Sequence, residues 1–239
     1  MDLELVMTTI QRIRRLMRKL ARKRHAKVLQ RYFKTGPGEY GEGDQFLGIR
    51  VPQLRKLALE YAGVKWRDIE TLLQSPVHEE RMLALLILVR RYQQGNAIEQ
   101  KRIYRLYFQS TQFINNWDLV DVSAEHIVGA FLFGRDKEPL SRLAESADIW
   151  ERRIAIMSTF YFIRQKRYSE TLRLARLLLS DEEDLVHKAV GWMLREVGKR
   201  DLRAEEKFLR QHCTEMPRTM LRYAVERFPE PKRKRYLKE

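Results

Sequence analysis

Cysteine is almost absent from this chain: Cys213 stands alone in 239 residues. A lone cysteine excludes an internal disulfide and a thiolate zinc site. The five histidines, His25, His78, His126, His187 and His212, never fall in pairs at metal-ligand spacing. No metal and no other cofactor is therefore expected. Long hydrophobic runs are missing too, since none reaches the roughly 18 residues that a membrane span requires. Asp2 and Glu4 precede the first basic residues, which argues against a cleaved secretory signal. A reducing, soluble compartment without membrane contact is expected.

Negative charge is also in deficit. Forty-seven Lys and Arg stand against 32 Asp and Glu, leaving +15. Nucleic acid is the commonest polyanion to answer such a balance. Thermophilic surface chemistry or an anionic membrane would also fit, but neither calls for an acid kept on the same face. With 44% hydrophobic residues the chain has material for a large core, so global disorder is excluded.

Proline and glycine are few, 7 and 11, and they punctuate. Gly63, Pro76, Gly95, Gly134, Pro139, Pro217 and Pro229 separate segments of helical period. Helices are expected at about 65–74, 78–94, 96–110, 116–133, 138–146, 149–166, 168–180, 183–198, 202–213 and 217–227. Another starts near Pro52, and a basic one covers 3–33, broken near Lys23-Arg24. In that basic helix Ile10, Ile13, Leu16, Met17 and Leu20 form an apolar stripe. Its arginines and lysines serve either as a solvated face or as a phosphate-tracking surface. No segment reads as strand, so the class is all-α. The glycine-rich run Thr35–Asp44 cannot be helix; it is a loop or a short hairpin. Glu39, Glu42 and Asp44 make it a poor phosphate cradle.

The stretch from Phe113 to Ala130 concentrates the chemistry. Asn115 and Asn116 stand where a helix start wants a capping side chain. Leu119, Val122, Ile127, Ala130 and Phe131 recur at helical spacing and are expected to be buried. Trp117 and Asp121 are four residues apart, so an indole and a carboxylate share one face.

Arg81, Trp117, Arg153 and Lys188 recur at intervals of 36, 36 and 35 residues, each heading an apolar helix. Two helices per interval match the periods of helical-repeat solenoids. Equivalent positions are then expected to line one concave surface, with Leu85, Asp121, Met157 and Trp192 one turn further on. The prediction is a basic groove holding two indoles and one acid, flanked by Arg153, Lys188 and Arg195. Basic side chains neutralise phosphates, and indoles stack on bases or attract cations. A carboxylate there suits either stabilising positive charge on a sugar or deprotonating the water that attacks it.

Three motifs carry a family resemblance: Asn116-Trp-Asp-Leu-Val-Asp-Val-Ser, Trp150-Glu-Arg-Arg-Ile-Ala-Ile and Lys188-Ala-Val-Gly-Trp-Met-Leu-Arg-Glu. They resemble the bacterial AlkD-like family of DNA alkylation repair glycosylases, as do Arg31-Tyr-Phe-Lys and Phe46-Leu-Gly-Ile-Arg-Val-Pro. The similarity runs from about residue 25 to the end of the chain. The resemblance implies a single HEAT-like solenoid domain over 1–239 that grips duplex DNA as a monomer, at the nucleoid. It implies hydrolysis of cationic N3- and N7-alkylpurines, with Asp121 as the catalytic carboxylate that stabilises the sugar cation and positions water, and Trp117 and Trp192 as the groove indoles. Arg153 and Arg195 would bind phosphates, and Tyr32 would lie near the DNA; the repeat adds Lys188 and Arg81. The longer segment 35–44 departs from the simplest relatives. It leaves open a non-catalytic binder of branched or damaged DNA.

Overall fold

The computed structural model describes residues 7–238, and among them the regular structure is helical, with one isolated parallel bridge between Gln45 and Val77. The all-α expectation holds. The expected helix start at residues 3–6, and Asp2 and Glu4, lie outside the described residues. By its contacts the chain divides into two compact units, Met1–Ser123 and Ala124–Glu239, within the span expected to be a single domain.

The first unit contains α1 (Thr9–Leu20), α2 (Lys23–Tyr32), α3 (Val51–Glu60), α4 (Trp66–Leu73), α5 (His78–Gln94) and α6 (Ala97–Gln109). Thr8 and Gln11 close a reciprocal capping box on α1, which satisfies two amides the helix itself cannot. The break before α2 falls at Ala21 and Arg22, both extended, slightly ahead of the expected point. α1 buries Ile13 and Met17 and packs on α4. At the centre lies α5, buried at every residue from His78 to Val89, with α3, α4 and α6 against it.

Near the end of this unit α7 (Trp117–Ala124) begins, and the chain continues directly into a π-helical turn, Glu125–Gly129, and a last helical turn, Ala130–Leu132. A π turn inserts one residue and shifts the buried face. Leu119, Val120, Ala124, Ile127, Val128 and Leu132 form the buried stripe. Val122, Ala130 and Phe131, expected inside, are only half-buried.

The second unit adds α8 (Glu138–Ala144), α9 (Ile149–Arg164), α10 (Ser169–Leu177), α11 (Asp184–Gly198), α12 (Leu202–His212), α13 (Arg218–Ala224) and α14 (Glu230–Tyr236). Here α9 packs on α11 and α11 on α13, while α8, α10 and α12 each lie against this inner row. That is the stacking of helical repeats. Asp148 caps α9 by accepting from the amides of Trp150 and Glu151. Helix α14 was not expected from the sequence, because Pro229 reads as a terminator. Instead Pro229-Glu-Pro231 opens a helix, where a missing N–H costs nothing, and Tyr236 packs edge-on against Phe228.

Glu205 on α12 is 2% exposed, and its Oε1 finds no hydrogen-bond partner among the described residues. Burial, helped by the neighbouring charge of Glu206, pushes its carboxyl up to about 8. The folded state thus holds a proton that the unfolded chain releases near the ordinary carboxylate range. Its contribution to stability is full at low pH and is lost as pH rises through about 8. Glu205→Gln is expected to flatten this loss and raise the melting temperature at pH 8 relative to wild type, with little change at pH 4. Thermal melts across that range check it.

Candidate functional site

The glycine-rich segment is a loop of successive turns and not a hairpin. Backbone bonds run from Glu39 to Gly36, Gly41 to Lys34, Glu42 to Glu39 and Asp44 to Gly41. Gly38 and Gly43 have positive φ, which side chains disfavour. Its acids have local tasks: Glu39 accepts from the amide of Gly36 and Glu42 from that of Gly38, both at 2.8 Å. Asp44 alone turns inward.

It meets the first turn of α5, His78-Glu-Glu-Arg81, where four consecutive charged or polar side chains are buried. Each serves a different segment. Glu79 accepts from the backbone amides of Leu47, Gly48 and Ile49. Glu80 takes a bidentate pair from Arg14 of α1, at 2.9–3.2 Å. Arg81 donates to Asp44 Oδ1 at 2.6 Å and to the carbonyl of Ser75. His78 stands between two carboxylates, with Nδ1 3.0 Å from Asp44 Oδ2 and Nε2 2.9 Å from Asp118 Oδ2.

Asp118 belongs to α7, so this network holds the start of that helix. Asn116, fully buried, accepts from the amide of Trp117 and reaches Asp44 with its Nδ2. The Trp117 ring lies parallel to Phe33 at 5.2 Å, Phe33 on Phe46 at 5.1 Å, and Phe46 on His78 at 4.5 Å. Tyr32, 61% exposed, meets Trp117 edge-on at 5.9 Å. Trp117 and Asp121 are half-buried. Asp121 adds its negative charge to the burial that drives the Tyr107 phenol upward.

In the second unit Trp192 is half-buried, its Nε1 donating to Glu196 Oε1 at 3.3 Å and its ring 6.2 Å from Phe160. Glu196 also pairs with Lys199 and Arg200. Burial alone would raise its carboxyl; these cations hold it below its usual range. Lys188 pairs with Asp184 one turn earlier, at 2.6 Å. Arg195 is ion-paired with Glu226, while its buried Nε has no hydrogen-bond partner among the described residues.

Two arginines correct the picture drawn from the repeat. Arg81 is 3% exposed and Arg153 5%, so neither presents a guanidinium to solvent. α5 and α9 are covered on every side through their middle turns, and Leu85 and Met157 are buried with them. Repeat-equivalent positions therefore do not all reach a surface. Arg81 ties the loop to α5, and Arg153 donates to the carbonyl of Leu185 in the first turn of α11.

Comparison with known proteins gives this geometry a setting. Residues 13–228 match the family model described as DNA alkylation repair enzyme. The chain belongs to that family. No curated protein matches it. Among solved structures the family's fold recurs in a protein described as a predicted DNA alkylation repair enzyme from Enterococcus faecalis. The TM-score is 0.67 at 17% identity, over 88% of this chain and 97% of that one. AlkD2 from Streptococcus mutans follows at 0.54 and 19%, over 87% and 99%. The protein smu.31 from Streptococcus mutans UA159 gives 0.51 and 19%, over 89% and 100%. Identities this low speak for the fold alone.

Every site residue named above lies inside the span that matches the DNA alkylation repair family. No helix among the described residues is long and apolar enough to cross a membrane. Sequence reasoning missed His78 and Asp44 as partners. They are 34 residues apart, and no local period links a loop end to a helix start. The one available signal was a polar run, His78–Arg81, heading the long Leu-rich helix of the first unit.

Proposed function

We propose that this chain is a monofunctional DNA glycosylase that hydrolyses the N-glycosidic bond of cationic N3- and N7-alkylpurines in duplex DNA, acting as a monomer. One observation carries the reading. Trp117 and Asp121 both reach solvent from a helix whose Leu119, Val120 and Ser123 are wholly buried, in a chain of charge +15. Beside the Trp117 indole, a carboxylate that reaches solvent is placed to attract a cation.

An alkylated purine carries positive charge and departs as a neutral base once the C1′–N bond breaks. The charge then passes to the sugar, where an anion lowers the barrier. Asp121 supplies that anion and orients the water whose oxygen bonds to C1′. The water's proton goes to the carboxylate and then to solvent. The Trp117 face, backed by Phe33, packs against the nucleotide's deoxyribose; on the second unit Trp192 offers an indole of its own to the DNA. Lys188 and Arg195 neutralise phosphates, Arg195 exchanging Glu226 for the backbone. Tyr32 adds an exposed contact. Arg153 acts indirectly, by holding the first turn of α11, and Arg81 by holding the loop.

The direct test is release of 7-methylguanine and 3-methyladenine from methylated duplex, with binding measured at two salt concentrations. Trp192→Ala is expected to lower excision by about tenfold, more than it weakens binding. A wild-type protein that releases no base yet prefers junctions to plain duplex would support the second reading, a non-catalytic binder of branched DNA. The compact loop at 35–44, beside the exposed Tyr32, favours that alternative.

A further inference from the structure

The glycosylase reading assigns work to Trp117 and Asp121 but not to the buried groups beneath them. We propose that His78 is a positioning residue for that reaction: bridging Asp44 and Asp118 under the Trp117–Phe33–Phe46 ring stack, it fixes the first turn of α7 and so the placement of Trp117 and Asp121.

The argument rests on what an imidazole can donate. Neutral histidine has one N–H and one lone pair, whereas the imidazolium has two N–H groups. Both ring nitrogens of His78 lie within 3.0 Å of a carboxylate oxygen. Only the cation satisfies both. The side chains of His78, Asp44 and Asp118 are 3%, 4% and 15% exposed, so a lost link is not replaced by bulk water. Removing the cation would leave two buried carboxylates facing one another, a costly arrangement.

The charged groups that bear on His78 come from the loop, α7 and α5. The loop contributes Asp44 and α7 contributes Asp118; both favour the cation. On α5 itself, Arg81 opposes it but is held by Asp44 Oδ1. Glu79 points to the amides of Leu47, Gly48 and Ile49, and Glu80 to Arg14. The rings of Phe33 and Phe46 also lie against the imidazole, and the Asn116 amide is bonded to Asp44. Burial works against the charge, yet the two carboxylates outweigh it and raise the imidazole to about 9. The bridged form thus persists below that pH and is lost as pH rises through it.

The link to Trp117 is short. Asp118 is its neighbour in sequence, and the imidazole closes the ring stack that begins at the indole. A shift of about 1 Å in a group near the reacting atoms can cost on the order of 100-fold in rate.

The test uses the full chain labelled with 5-fluorotryptophan. Its four tryptophans, Trp66, Trp117, Trp150 and Trp192, give separable fluorine resonances, and Trp117→Phe assigns the one of interest. His78→Gln is expected to move the Trp117 resonance and leave the Trp66, Trp150 and Trp192 resonances in place. In wild type that resonance should shift with a midpoint near pH 9, and the variant should lack the transition. Single-turnover release of 7-methylguanine should fall about 10- to 100-fold, while the Kd for undamaged duplex stays within about twofold. If His78→Gln loses its helical circular dichroism, Asp118→Asn reports the same quantities. A Trp117 resonance unmoved in the folded variant, or unchanged excision, overturns the proposal. A wild-type protein that excises nothing removes the glycosylase reading alone; the fluorine resonance then decides the role of His78 by itself.

Discussion

Asp121→Asn is expected to lower the rate of N-methylpurine release by about 100-fold or more, with duplex affinity unchanged or slightly tighter. The amide has nearly the shape of the acid, so packing on α7 is preserved. What disappears is the negative charge that opposes charge build-up on the sugar, and such preorganised electrostatics is commonly the largest single contribution to an enzyme's rate. Binding moves the other way because the native carboxylate repels phosphates that the surrounding cations attract. The pair of measurements is more telling than either alone. A residue that merely stabilised the fold would depress binding and excision together, and the melting curve with them. Equal release by wild type and variant would end the catalytic assignment of Asp121.

The second large effect concerns stability. Gly129 closes the π-helical turn that follows α7, and it lies directly on α9. A Cβ at this position would stand 2.1 Å from the backbone carbonyl oxygen of Ser158 and 2.9 Å from the Tyr161 Cβ. Backbone cannot rotate aside as a long side chain can, so the two segments must separate. Gly129→Ala is expected to cost about 3 kcal/mol or more, read as a lower urea midpoint with an unchanged slope. The gain in helix propensity from alanine, about 1 kcal/mol, is too small to offset this. Gly63→Ala is the control, since nothing lies within 4 Å of its added Cβ. It should leave the stability within about 0.5 kcal/mol of wild type.

How far the sequence revealed this structure depended on whether the physics was local. Helix limits set by caps and breakers were legible: Asn96 accepts from the amides of Ile98 and Glu99, and Asp148 does the same for α9. Pro229 misled because proline both ends helices and begins them. The spacing of Trp117 and Asp121 placed both on α7, and both reach solvent. Arg81 was misread for a different reason. A charged residue in a repeat-equivalent position looks exposed until its partner is known, and Asp44 lies 37 residues away. The π turn left no trace in the pattern, because one inserted residue only shifts an apolar stripe. His78 was invisible as anything but an isolated histidine.

The four-residue cluster at the head of α5 has a consequence for how the first unit tolerates change. Its side chains reach out to α1, to the strand-like run after the loop and to the loop's final aspartate, like one post carrying several ropes. Between Thr35 and Gly43 the chain is tied mostly to itself. Insertions or deletions there lengthen or shorten slack, at an entropic cost that grows only with the logarithm of loop size. The segment can therefore change length at its exposed turns, provided that a glycine still packs on Phe33 as Gly41 does and an aspartate arrives where Asp44 does.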